Sequence, residues 1–295
     1  MRIPPTLPHE HYVLTIRCRD AVGIVAGVAS ALAAAGAFII ESSHFGDPDT
    51  SLFFMRTEFR PTEARFRSVE DFATALKPVA QRFDMQLELH PAQAPMKVML
   101  AVSRHGHCLN HLLNRWHSGE LPVDVVGVVS NHEDMRRMVD WYGIPYHHLP
   151  MGKDKGAQEA AFLKVVEESG TELVVLARYM QVLSDRMCEA LQGRCINIHH
   201  SFLPSFKGAR PYHQAHARGV KLVGATAHYV TKDLDEGPII EQDSVRVGHG
   251  MDANALVRVG KDVENVVLAR AVHWHAERRV LLNGLRTVVF RQGGA

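Results

Sequence analysis

Two α/β domains in tandem, the first ferredoxin-like and the second doubly wound around a mostly parallel sheet, are predicted by three features of this 295-residue chain. Strand and helix patterns in its first 90 residues follow the order βαββαβ, the split βαβ motif. A Pro/Ala stretch, "HPAQAPM", interrupts at 90–96. Beyond it the strands become near-continuous apolar runs separated by helical spacing. Strands that are apolar throughout are covered on both faces, which means a parallel sheet with helices on each side. The expected domains are 1–90 and 96–295.

In the first domain, "HYVLTIRCRD" reads as a strand ending at a turn. "AVGIVAGVASALAAAGA" is a helix from near Val22 to Gly36. "FIIESSHF" and "SLFFMRTEFR" are strands joined by the turn "GDPDT". "SVEDFATALKPVAQRF" opens with a capping-box pattern and continues as a helix, and "MQLELH" closes the unit. In the second domain the strands "KVMLAVS", "VDVVGVVS", "IPYHHL" and "ELVVLAR" alternate with helices through "CLNHLLNRWHSG", "HEDMRRMVDWYG" and "AQEAAFLKVVEESG". Such sheets bind ligands beyond the carboxyl ends of their strands.

Composition narrows the function. A formal net charge of +1 gives no field to recruit nucleic acid or an anionic membrane. No apolar run reaches the ~18 residues of a membrane span. The opening "MRIPPTLPHEHYVL" has prolines where a signal peptide needs an apolar core. Four scattered cysteines, Cys18, Cys108, Cys188 and Cys195, form no C-x-x-C pair and point to a reducing compartment. The expected location is the cytoplasm.

The chemistry gathers at "CINIHHSFLPSFKGARPYHQA" (195–215). Side chains alternate along a strand, so Asn197 and His199 share one face and Ile196, Ile198 and His200 the other. An amide can donate to an oxygen that gains negative charge, and an imidazole can donate to it or move a proton. Downstream, "GATAHYVTKDLDEGPII" reads as a strand, a tight loop at 231–237 and a returning strand. Asp235, just before the Glu-Gly-Pro turn, is placed to curl back toward the strand ends. An oxyanion donor, a proton mover and a water-orienting carboxylate are the parts acyl transfer needs.

These paired motifs resemble the folate-dependent formyltransferase family. The resemblance spans about residues 96–290 and implies that Asn197, His199 and Asp235 are catalytic. It places His228 in the strand leading to the aspartate loop, among the residues beside the folate. "LARYMQVLS" resembles the family's folate-binding segment, which implicates Met180, Gln181, Val182 and Leu183. The segment "SRHGHCLNHLL" has only Gly106 where glycinamide ribonucleotide transformylases carry a Gly-rich phosphate loop. The first domain, through "RDAVGIVAGVASALAAAGAFI", resembles an ACT module, with Asp20 and Gly23 at the turn where amino-acid effectors bind. An ACT module joined to a formyltransferase-like domain is the arrangement of the formyltetrahydrofolate deformylases. That branch implies hydrolysis of 10-formyltetrahydrofolate to formate and tetrahydrofolate, no cofactor or metal, and a homo-oligomer, dimer or tetramer. It further implies a supply of formate to purine synthesis. Transfer to an amine, or a sensor without chemistry, are the rival readings.

Plainer readings stand beside these. Asn197 and His199 can cap a strand end. Lys207, Arg210 and Lys232 are surface charges or partners for the carboxylates of a folate's glutamate tail. His213 and His216, at i, i+3 spacing, lack a third ligand at a zinc-site spacing. The turn at Asp20–Gly23 serves equally as strand–helix punctuation.

Overall fold

The computed structural model describes residues 11–62, 69–203 and 211–291. They form two compact units. One runs up to Pro95 and takes in Glu277–Leu281 and the chain from Val288; the other is Met96–Ala276 with Leu282–Thr287.

In the first unit β1 (Tyr12–Arg19), β2 (Ala37–Asp47), β3 (Leu52–Pro61) and β4 (Gln86–Pro91) make an antiparallel sheet in the order β2-β3-β1-β4. Helices α1 (Ile24–Ala34) and α2 (Val69–Arg82) follow β1 and β3, completing the βαββαβ order. Leu14 and Ile16 of β1, Met55 and Phe59 of β3, Val28 and Leu32 of α1 and Phe72 and Leu76 of α2 build one core. Gly23 starts α1 with φ 98°, a left-handed conformation that glycine adopts without a Cβ clash. On the sheet's other face, Arg279 donates to Glu41 of β2 at 3.1 and 2.9 Å, and Arg56 of β3 donates to Glu41 at 3.0 Å.

The second unit holds a seven-stranded sheet in the order β11-β10-β9-β8-β5-β6-β7. Its strands are β5 (Met96–Val102), β6 (Val123–Ser130), β7 (Tyr146–His148), β8 (Leu173–Leu176), β9 (Cys195–His199), β10 (Leu222–Tyr229) and β11 (Ile239–Arg246). β5 to β9 run parallel, while β10 is antiparallel to both β9 and β11. The chain winds from β5 outward through β6 and β7, then returns to β8 on the other side of β5. Direction therefore reverses between β5 and β8, and a crevice opens beyond their carboxyl ends. Helices α3 (His107–His117), α4 (Arg136–Trp141), α5 (Lys155–Glu168), α6 (Asp185–Ala190) and α7 (Pro211–Ala217) join the strands. α4 is shorter than the helix expected over 132–143. The longest helix, α8 (Ala253–Ala276), packs on β9, β10, β11 and α3 and had no counterpart in the sequence reading. A two-stranded hairpin, β12 (Val280–Asn283) and β13 (Arg286–Val289), follows it. Among the described residues no helix is long and apolar enough to cross a membrane.

Candidate active site

Ile196 and Ile198 of β9 are buried, so the strand's alternation turns Asn197 and His199 toward the crevice. The antiparallel partner β10 sets His228 opposite Asn197 and Thr226 opposite His199. Thr226 is fully buried; its hydroxyl donates to the Ser201 carbonyl at 2.9 Å and accepts from the Leu203 amide at 3.1 Å. That clasp fixes the chain as it leaves β9.

The Asn197 amide lies 3.3 Å from His228 Nε2, and His228 Nδ1 lies 2.9 Å from the Tyr229 carbonyl. A carbonyl only accepts, so Nδ1 carries a proton, and an amide nitrogen only donates, so Nε2 accepts from Asn197. One amide hydrogen of Asn197 is thereby engaged, and the amide is oriented with the second available.

Asp235 closes the group. Its Oδ2 is 3.1 Å from His199 Nδ1 and its Oδ1 is 3.7 Å from His228 Nε2. Asp235 takes a left-handed backbone conformation, φ 58°. Two residues on, a Cβ at Gly237 would lie 1.7 Å from the Tyr229 carbonyl oxygen, so the loop can return only over a glycine. Burial works to raise the Asp235 carboxyl, but the hydrogen bond from His199 Nδ1 holds it well below the usual carboxylate range. It is therefore ionised. His199 Nε2, on the far side of the ring, is buried and has no hydrogen-bond partner among the described residues.

These groups line a cleft of about 670 Å³, the size of a small-molecule site. One wall is the segment after β8, Met180 to Leu183. It is pinned at both ends. The Met180 amide donates to Ser103 Oγ at 3.0 Å, and that hydroxyl donates to Asn131 at 2.7 Å. The Ser184 amide donates to Glu159 at 2.8 Å, while the Ser184 side chain caps α6. The lining also carries residues that the sequence reading missed. Glu264 of α8, 1% exposed, accepts from Tyr212 of α7 at 2.8 Å and lies 2.8 Å from His107 of α3. Arg178, just after β8, approaches the same carboxylate at 3.5 Å. These residues are far apart in the chain, so no local motif betrays them.

The formyl transferase family profile matches residues 96–272. A formyltetrahydrofolate deformylase of a Corynebacterium strain is 50% identical over 285 residues, covering 95% of this chain and 98% of the relative. The chain belongs to the formyltetrahydrofolate deformylase family. The solved structure of a deformylase of this family from Pseudomonas syringae superposes with a TM-score of 0.93 at 48% identity, over 96% of this chain and 95% of that one. A glycinamide ribonucleotide transformylase of Symbiobacterium toebii aligns with 67% of this chain and 95% of its own, at 30% identity and a TM-score of 0.64.

Lys232 lines the cleft and is 2.5 Å from Glu189. Arg210 and Lys207 lie outside the described residues. His213 lines the cleft. His228, expected beside the folate, also contacts Asn197 and Asp235. In the first unit the turn at Asp20–Gly23 carries Val22 at 99% exposure, and the Asp20 carboxylate lies against Gly46, where a Cβ would come within 2.4 Å of it.

Proposed function

We propose that this chain hydrolyses 10-formyltetrahydrofolate to formate and tetrahydrofolate. The observation that carries the reading is the convergence of Asn197, His199 and Asp235 on one cleft, with His199 Nδ1 3.1 Å from the carboxylate. The names of the deformylase relatives support the substrate and the acceptor.

The Asp235 carboxylate accepts a proton from a water as the water oxygen bonds to the formyl carbon. The former carbonyl oxygen gains negative charge and is met by the second amide hydrogen of Asn197 and by His199 Nε2, the ring nitrogen turned away from Asp235. The C–N bond then breaks, and the folate nitrogen takes the proton as tetrahydrofolate leaves. The four residues from Met180 to Leu183 offer backbone groups to the pterin ring, and Lys232 and Arg210 positive charge to the glutamate tail. Proton transfer and oxyanion binding are both supplied by side chains, so the reaction calls on no cofactor or metal. The first unit's ferredoxin-like sheet supports an ACT-like regulatory role in a cytoplasmic homo-oligomer, with an amino acid bound near Asp20 and Gly23. Formate made this way feeds purine synthesis.

The test is incubation with 10-formyltetrahydrofolate and no acceptor, following formate and the folate absorbance. Stoichiometric formate is expected. Formate appearing only when an amine is added would establish a transferase instead.

A further inference from the structure

A hydrolase of this kind has a selection problem. A transformylase shares the fold of the second unit, so the frame is compatible with passing the formyl group to an amine. Amines are better nucleophiles than water, and something must keep them from the formyl carbon.

The part of the cleft lining around Glu264, which begins at the foot of the folate segment with Arg178, has the properties of such a barrier. It is continuous with the reaction centre. The His199 ring lies 5.3 Å from His200, and His200 lies 6.2 Å from Tyr212, whose hydroxyl donates to Glu264. α8 is shaped to receive it: a Cβ at Gly260, one turn before Glu264, would fall 2.1 Å from the Tyr212 ring. Both Glu264 oxygens are engaged, Oε1 by Tyr212 and Oε2 by His107 and Arg178. A cation is the other guest such a carboxylate attracts, and Cys108 stands close enough to join it and His107 as ligands. The Arg178 guanidinium already supplies the positive charge there.

Arg178 is the unusual member. Its φ is 68°, a left-handed conformation that a glycine would take more readily. Its carbonyl accepts from the Ser103 amide at 3.1 Å, which fixes this turn to the end of β5. The side chain is nine-tenths buried, lines the cleft, and leaves Nε without a hydrogen-bond partner among the described residues. A strained backbone and an unmatched donor at a cleft wall signal a side chain kept for function rather than for folding.

We infer that Arg178, locked by Glu264, fills the side of the cleft an amine acceptor would enter and so reserves the formyl carbon for water. Bulk excludes a molecule larger than water, and the guanidinium, with Lys261 on the same wall, repels the ammonium form of an amine. The inference rests on the hydrolase reading above.

The experiment is a partition measurement. Parent and variants receive 10-formyltetrahydrofolate with glycinamide in excess, and formate and N-formylglycinamide are quantified by mass spectrometry. Arg178→Gly suits the backbone and empties the wall; Glu264→Gln keeps its shape and loosens Arg178. The share of formylated amine should rise about tenfold or more in Arg178→Gly, and less in Glu264→Gln. A ratio is read, so a change in overall rate does not disturb it. Parent-like ratios in both folded variants overturn the inference; should Arg178→Gly not fold, a parent-like ratio in Glu264→Gln does so alone. No formate from the parent without amine overturns the hydrolase reading and this inference together.

Discussion

The arginines that the two units draw out of solvent are held in opposite ways. Arg279 is 2% exposed and every nitrogen of its guanidinium has a partner: Glu277 on Nε, Glu41 on both terminal nitrogens and the Phe290 carbonyl on one of them. Arg56, 3% exposed, is as well served, by the Glu277 carbonyl, Glu41 and Glu58. Among the described residues Arg178 has one carboxylate, at 3.5 Å, and no partner on Nε, and its backbone is left-handed. A buried charge with all its donors matched ties segments of chain together. One left partly unmatched beside a cleft is available to whatever enters. The first arrangement is a clamp and the second part of a site.

The comparison predicts that changes at the cleft alter chemistry and spare stability, while changes at the clamp do the reverse. The largest effect is expected from Asp235→Asn, which keeps shape and removes the proton acceptor. Formate release should fall by about 100- to 10,000-fold in a variant that still folds and unfolds cooperatively. Near-parental turnover would remove Asp235 from the mechanism. Next comes Arg279→Met, which strands Glu41 and Glu277. Denaturant unfolding should show a loss of about 2–3 kcal/mol, reduced from a fully buried pair because Glu41 is partly exposed. An unchanged midpoint would mean that the clamp is ornamental.

A smaller effect concerns His200. Burial, followed by the charges of Arg178 and, against them, Glu264, pushes its imidazole down to about 4. The folded protein therefore keeps His200 neutral while the unfolded chain protonates it near pH 6.5, so the unfolded state binds more protons in the window between. Stability should drop as pH falls through that window, by about 1 kcal/mol between pH 7 and pH 5.5 from this residue. His200→Asn should flatten that part of the stability–pH curve; an identical slope would contradict the neutral imidazole. The smallest change is expected for the stability of Arg178→Gly. Relief of the left-handed backbone offsets the lost ion pair, leaving the unfolding free energy within about 1 kcal/mol of the parent. A loss as large as that of Arg279→Met would erase the distinction between the two arginines.

The sequence shows the first half of this architecture more openly than the second. Apolar runs such as Lys97–Ser103 and the βαββαβ rhythm are local signals, and the strands lie where those runs fall. α8 escaped because burial leaves it no clean stripe: Gly260, Glu264 and the run Val267, Leu268, Ala269 are all buried. Asn197 and His199 were legible because strand alternation is local, and Asp235 because its loop ends at a turn. The Glu264 group was not. Its partners His107, Arg178 and Tyr212 come from three other elements, and a buried glutamate in a helix reads in sequence as an exposed one.

The pairing of β10 with β9 carries a further implication. His228 faces Asn197 through strand register alone, and β10 already absorbs one irregularity, between Ala227 and His228, on its β11 side. A one-residue slip would set Ala227 or Tyr229 against the amide and turn the imidazole to the other side of the sheet. β10 cannot gain or lose a residue without losing that register. Its length is as much a part of the reaction as any proton it helps to place.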